Sequence, residues 1–301
     1  MAIKLSTHTL FEKSTFKHLR FHFSFFLMPV FLFALSQAGE INWTTTTIAF
    51  IILHLLIFPS SNGYNSYQDK DESSIGGLKN PPKVTENLFY VTLLMDCVGI
   101  LSGLFISVYF SLFVLMFVCA SRAYSYRKIR LKKYPVSGFL IVFIFQGGFV
   151  YLMSYFSVTL SVLQTLSFNN IICMCASSLF IGSLYPLTQI YQHEADKKDG
   201  VITISYKLGY MGTFIFSAIL FLVANLLLIY YFNLKQHSLD LFLFLIIMLP
   251  VVFYFFIWFF KVWKDTKQAN FENTMNMNLI TSACMNSYFL ILVLNNIYSW
   301  F

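Results

Sequence analysis

The chain has 301 residues, of which 57% are hydrophobic, 19% aromatic and only 11% charged, with a mean hydropathy of +0.68. Water-soluble domains carry about a quarter of their residues as charges, so a soluble globule is excluded and a polytopic membrane protein is indicated. The net charge of +7 does not call for nucleic acid, because Lys/Arg enrichment of cytoplasmic loops produces the same excess.

The expected fold is all-α, a single domain over 1–301 built as a bundle of about nine transmembrane helices around a central cavity. A helix crossing ~30 Å of hydrocarbon needs about 20 apolar residues. Lys4, Lys13, Lys17 and Arg20 precede the first apolar run, 21–38. That run also has the look of a signal peptide, with a small-residue site at Ala34-Leu35-Ser36, and both uses stay open at this point. The second run is 43–61. Residues 87–121 are too many for one helix and supply two short ones hinged near 103–109. Further spans are expected at 136–157, 168–188, 210–232, 239–260 and 279–299, which completes nine. Gly147-Gly148 and the pair Gly99 and Gly103 would let helices approach closely. Cys97, Cys119, Cys173, Cys175 and Cys284 lie in or beside apolar runs without zinc-type spacing, and are expected to be small core residues rather than disulfides or ligands.

Charge placement checks the count. Lys and Arg number four in the N-terminal segment, three in 62–86, six in 122–135, three in 191–209 and three in 261–278. Only Lys235 falls on the other side. The positive-inside rule therefore puts the N-terminus in the cytoplasm and the C-terminus across the membrane, which for a cell inner membrane is the outer side.

Two of these loops are more than basic anchors. Of 13 acidic residues, seven lie in 62–86 and 189–209: Asp69, Asp71, Glu72, Glu86, Glu194, Asp196 and Asp199. Carboxylates and amide oxygens at a membrane face suit Mg²⁺, which takes one or two carboxylates and keeps other positions for water and phosphate oxygens. Two such clusters facing one cavity can hold a diphosphate, with Lys and Arg neutralising the remaining charge. Asp96, inside the third span, is a functional candidate as an intramembrane carboxylate.

The segment 189–209 carries Glu194, Asp196, Gly200, Thr203, Leu208 and Gly209 at the places of the second acidic motif of the UbiA superfamily of intramembrane prenyltransferases, which it resembles. Gln189 and Gln192 stand where that motif has its two leading aspartates. Ala123-Tyr124-Ser125, then Arg130-Leu131-Lys132-Lys133 and Pro135, is similar to the family's basic loop after the fourth helix. The first motif, Asn-x-x-x-Asp-x-x-x-Asp, is degenerate: counting from Asn62 meets Ser66 and Lys70, and counting from Asn65 meets Asp69 and Ser73. Lys79 with Pro81-Pro82 looks like the family's Arg-Pro.

The resemblance implies Mg²⁺-assisted transfer of an isoprenyl group from a prenyl diphosphate to a hydrophobic or aromatic acceptor within the lipid bilayer. On this reading Asp69, Asp196 and Asp96 are the catalytic candidates. Asn62, Asn65, Asp69, Asp71, Glu72, Gln192, Glu194, Asp196 and Asp199 are the metal candidates, centred on Glu194 and Asp196. Lys79, Tyr124, Arg127, Lys128, Arg130, Lys132, Lys197 and Lys207 are the diphosphate contacts. Competing readings are a transporter, which predicts internal repeats and ionisable groups near the midplane, and a non-catalytic relative that binds a lipid.

Overall fold

A computed structural model describes residues 12–70 and 72–298. Among these residues the fold is helical throughout, apart from an isolated bridge between Ile75 and Leu78. Eight stretches are long and apolar enough to cross a membrane: Lys13–Ser36, Trp43–Asp69, Val108–Ser125, Pro135–Thr159, Phe168–Lys198, Ile204–Lys235, Ser238–Lys264 and Phe271–Tyr298. A further helix of 18 residues, Glu86–Gly103, is less apolar because it carries Glu86 and Asp96, and it stands third in order within the same bundle. The outward surface is apolar, with Phe105, Leu163 and Trp263 largely exposed, as a lipid-facing wall requires once helices satisfy their own backbone.

The expected break within 87–121 falls where Gly103 ends one helix and Val108 begins the next. Ser107 caps the new helix by accepting from the Phe110 N–H at 3.1 Å, and Ser111 Oγ donates to Ile100 O at 2.7 Å. A Cβ on Gly103 would stand 2.9 Å from Ser111 Cα, so only glycine lets this hairpin fold so tightly.

Gly147 does the same between the fifth and sixth helices. Its Cβ position lies 2.4 Å from Ser178 Cα, and Ser178 Oγ accepts the Gly148 N–H at 2.9 Å within a π-helical turn, Phe143–Phe149. Because backbone stands in the way rather than a movable side chain, Gly147→Ala is expected to destabilise the fold by about 1–3 kcal/mol. The check is the thermal midpoint in detergent against Gly39→Ala, where a Cβ meets nothing within 4 Å.

The cysteines are free, and only Cys173 is fully buried; Cys97, Cys119 and Cys175 are exposed on the apolar surface. The expectation of core cysteines is corrected for those three: apolar runs in a membrane helix have an outward face as well as an inward one.

Four connections gather at one end of the bundle. Gln192 Nε2 donates to Ser74 O at 3.0 Å, the Ile202 N–H to Lys133 O at 3.3 Å, and Lys79 Nζ to Glu272 Oε1 at 2.5 Å. At the opposite end, the Asn42 N–H donates to Val158 O at 3.2 Å and Tyr231 OH to Gln37 Oε1 at 2.6 Å. The gathered end is therefore the one that carries both acidic segments.

Candidate active site

The second helix does not stop at 61, where its hydropathy falls, but runs on to Asp69. Its last turns put Asn62, Asn65, Ser66 and Asp69 on one side of a cavity of about 250 Å³. Those spacings of three, four and seven residues are one helical face. The sixth helix, Phe168–Gln189, continues through a 3₁₀ turn, Ile190–Gln192, into the short helix His193–Lys198. Gln192, Ala195, Asp196 and Asp199 repeat the same spacing on the facing wall, with Thr188 and Gln189 above them. Residues 62–69 and 189–198 are thus helical surfaces, and only the rest of the two acidic segments, such as 72–85, is loop.

Deeper in, the cavity is lined by Leu27, Phe117, Phe145 and Ile181, while Phe23 packs against Gly76 and beneath Arg20 at the mouth. It is polar at its mouth and aromatic and aliphatic below. Tyr124 OH and Tyr185 OH lie 2.7 Å apart on its wall, and Gln189 Nε2 donates to Tyr185 OH at 2.8 Å. Gln189 is 7% exposed, and its Oε1 has no hydrogen-bond partner. A buried carbonyl oxygen left open beside a cavity is an acceptor site for a bound cation or donor.

The basic groups sort into two sets. Lys132 lines the cavity and pairs with Asp69, whose side chain is only 4% exposed. Arg130 Nη2 pairs with Asp69 Oδ1 at 3.1 Å and with Asp199, bridging the two acidic segments. Arg127 Nε donates to Gln68 O at 2.6 Å, and its Nη1 lies 3.6 Å from Asp199 Oδ1. Burial opposes the Asp199 charge, but the Arg130 hydrogen bond and the charges of Arg130, Arg127 and Lys132 outweigh it and hold the carboxyl below its usual range. Burial likewise opposes the Arg130 charge, and the Asp199 and Asp69 contacts raise its pKa above the ordinary arginine value. A depressed carboxyl pKa stabilises the fold above the unfolded value and loses that contribution as pH falls through the folded one. The bridge is therefore intact at neutral pH and gives way only in acid, below the ordinary carboxylate range.

Of the expected residues, the fold brings Asn62, Asn65, Asp69, Gln192, Asp196, Asp199, Tyr124 and Lys132 to the cavity. Arg127 and Arg130 stand just behind its acidic rim. Glu72 and Glu194 are exposed and are not on its wall. Of the two residues on which the metal candidates were expected to centre, Glu194 and Asp196, only Asp196 lines the cavity, because Glu194 falls between the cavity-facing positions of its helix. Lys79 is engaged with Glu272, Lys197 lies 5.8 Å over the Tyr206 ring, and neither lines the cavity. Lys128 and Lys207 are exposed away from it. Asp71 lies outside the described residues.

Asp96 does not reach the cavity either. It is buried between helices, accepting from Arg122 Nε at 2.8 Å and from Ser60 Oγ at 2.6 Å, with the Arg122 guanidinium 3.7 Å over the Tyr64 ring. Its carboxylate neutralises the half-buried Arg122, which leaves no acceptor-facing base there. Among the described residues no three His, Cys, Asp or Glu side chains form a ready metal cage.

Three cavity residues had no place among the expected ones. Arg20 breaks the first helix in a left-handed conformation, φ 48°, and reaches across to Gly76 O at 2.9 Å and Asn62 O at 3.0 Å. In the sequence it reads as one more flanking charge; what marked it was its place at the end of the basic cluster, against the aromatic run 21–26. Gln189 and Tyr185 share the face that leads into Gln192.

No curated protein matches by sequence. Among solved structures, a UbiA homolog from Archaeoglobus fulgidus bound to DMAPP and Mg²⁺ superposes with a TM-score of 0.66 at 16% identity, over 93% of this chain and 99% of that one. The apo structure of a UbiA homolog from Aeropyrum pernix K1 gives 0.67 at 15%, over 90% and 98%. A digeranylgeranylglyceryl phosphate synthase structure gives 0.60 at 18%, over 95% and 98%. Residues 25–280, well over half of the chain, match the UbiA prenyltransferase family, and the protein belongs to that family.

Proposed function

We propose that this protein is an integral membrane prenyltransferase that moves an isoprenyl group from its diphosphate to a hydrophobic acceptor, with Mg²⁺ as cofactor and the mouth of the cavity in the cytoplasm. The observation that carries the reading is one cavity whose mouth bears two apposed helical faces of oxygen donors and whose depth is aromatic and aliphatic. Such a space matches an amphiphile with a highly charged head and an apolar tail. The basic side chains gathered at the mouth end agree with a cytoplasmic opening.

The donor set fits a hard cation: Asp69 and Asp196 supply two carboxylates on opposite walls, and Gln189 Oε1 is a buried acceptor without a partner. That is the one or two carboxylates Mg²⁺ uses while keeping positions for water and phosphate. When bound, Mg²⁺ adds positive charge against the diphosphate oxygens as the carbon–oxygen bond breaks.

The chain's own residues do the rest. Lys132 and Arg20 put positive charge on the cavity wall where negative charge grows on the departing diphosphate. Lys132 is held by Asp69 in the absence of an anion, so ligand binding exchanges one anionic partner for another. One hydroxyl of the Tyr124 and Tyr185 pair donates to the other, which leaves one proton to donate to a phosphate oxygen. Below them Phe117 and Phe145 line the space that the allylic carbon would occupy. Their ring faces stabilise a carbocation electrostatically, and their bulk excludes the water that would quench it.

The test is incubation of purified protein with Mg²⁺ and radiolabelled prenyl diphosphates of several chain lengths. Diphosphate release with capture of the chain on a lipid-soluble acceptor supports the assignment; a transporter or a lipid-binding relative releases none. Within that assay Glu194→Gln is expected to stay within about twofold of the parent rate, as surface changes away from a site usually do. A large loss in that variant would return Glu194 to the site.

A further inference from the structure

A second cavity, of about 140 Å³ and almost wholly apolar, lies between the sixth, seventh, eighth and ninth helices. Phe180, Leu184, Phe221, Phe255 and Met285 are among the side chains that line it, and none of its lining residues is charged. Besides Ser183, two hydroxyls interrupt this wall, Ser217 from the seventh helix at 1% exposure and Thr281 from the ninth at 2%. Neither has a hydrogen-bond partner.

Ser and Thr in a membrane helix normally close onto a carbonyl of the preceding turn. Ser183 on the same wall does so, donating to Phe180 O at 2.7 Å, as does Ser154 to Val150 O at 2.7 Å. The hydroxyls of Thr15, Thr46, Ser66, Thr85, Ser177 and Thr274 are also buried and unpaired, and what sets Ser217 and Thr281 apart is that they share the wall of one apolar cavity. A hydroxyl that is buried and unpaired carries a desolvation cost that a ligand oxygen would remove. Ala218 and Phe256, also on the wall, are exposed on the apolar outer surface, so access runs from the bilayer. Leu184 is shared with the mouth cavity and separates the two spaces. The volume is close to the about 150 Å³ of an apolar protein cavity that accepts one benzene.

We propose that this cavity binds an uncharged, lipid-soluble molecule presenting one ring with a hydroxyl or carbonyl oxygen, hydrogen-bonded by Ser217 and Thr281 and admitted from the bilayer. An acyl chain would fill the same volume but leave both hydroxyls unpaired. An anion would find no cation on the wall. The site needs neither diphosphate nor Mg²⁺, so it stands or falls separately from the transfer reaction.

The test uses the full-length protein in lipid nanodiscs, with saturable binding of 3-fluorophenol and of its near-isostere 3-fluorotoluene followed by fluorine NMR against empty nanodiscs. The phenol is expected to bind about tenfold more tightly, the worth of one good hydrogen bond in an apolar site. The double variant Ser217→Ala with Thr281→Val is expected to erase that preference and leave the toluene unchanged, and 3-fluorobenzoate at neutral pH is expected not to bind. Equal affinity of the two probes for the parent protein overturns the proposal, and this arm needs no variant to fold. So does a preference that survives the double variant, or a tightly held acyl lipid that both probes displace equally.

Discussion

Asp196→Asn is expected to lower Mg²⁺-dependent diphosphate release from a prenyl diphosphate by about 10²–10³-fold, the usual cost of removing one preorganised charge-stabilising group. Asparagine keeps the shape and one oxygen but not the charge, so affinity for a hard cation falls while packing is retained. Part of the rate is therefore expected to return as Mg²⁺ is raised, which a misfolded protein would not show. Replacing Asp69 instead would also release Lys132 and Arg130. Unchanged turnover in Asp196→Asn would sink the assignment of the acidic faces to catalysis.

The second large effect concerns stability. Asp96→Asn leaves the half-buried Arg122 charged and without its carboxylate; breaking a fully buried pair from one side costs about 3–5 kcal/mol, and the 21% exposure of the Arg122 side chain puts the expected cost at the lower end. The pair also organises its surroundings: Arg122 Nη2 donates to Ser60 Oγ at 3.2 Å and to Thr92 O at 3.3 Å. A marked fall in the unfolding midpoint in detergent is expected for the single variant. The double variant Asp96→Leu with Arg122→Leu is expected to regain most of it, because no charge is left buried. If the single variant unfolds with the parent, the carboxylate is not the partner that lets Arg122 lie inside.

The helix count and the fold were legible because hydrocarbon thickness and loop charge are strong, independent constraints. The hinge within 87–121 is the clearest case, since length alone demanded it and Gly103 marked the place. Helix ends were less legible at the cavity. Asn62, Asn65 and Asp69 lowered the hydropathy of the second helix, yet they lie on an inward face, so polarity ended the apolar run without ending the helix. Phase was the signal that hydropathy missed: 62, 65, 66 and 69 share one helical face, as do 192, 195, 196 and 199, and Glu194 belongs to neither. The pairing of Asp96 with Arg122 had no local sign, because the partners sit on different helices 26 residues apart. Arg20 was hidden differently, as a charge in a cluster where anchoring is the ordinary use of charge.

The bridge at Arg130 bears on how the protein is made. Its partners are encoded far from it: it follows Asp69 by 61 residues and precedes Asp199 by 69. At about 5–20 residues per second, each interval takes roughly 3–14 s of synthesis. Asp69 thus waits for Arg130 and Lys132 until the fourth helix has been delivered, and Arg130 waits again for the sixth. The two acidic faces are bridged only once the sixth helix is made, by a cation already in place when the second arrives, so the cavity mouth is not a surface the early helices present by themselves.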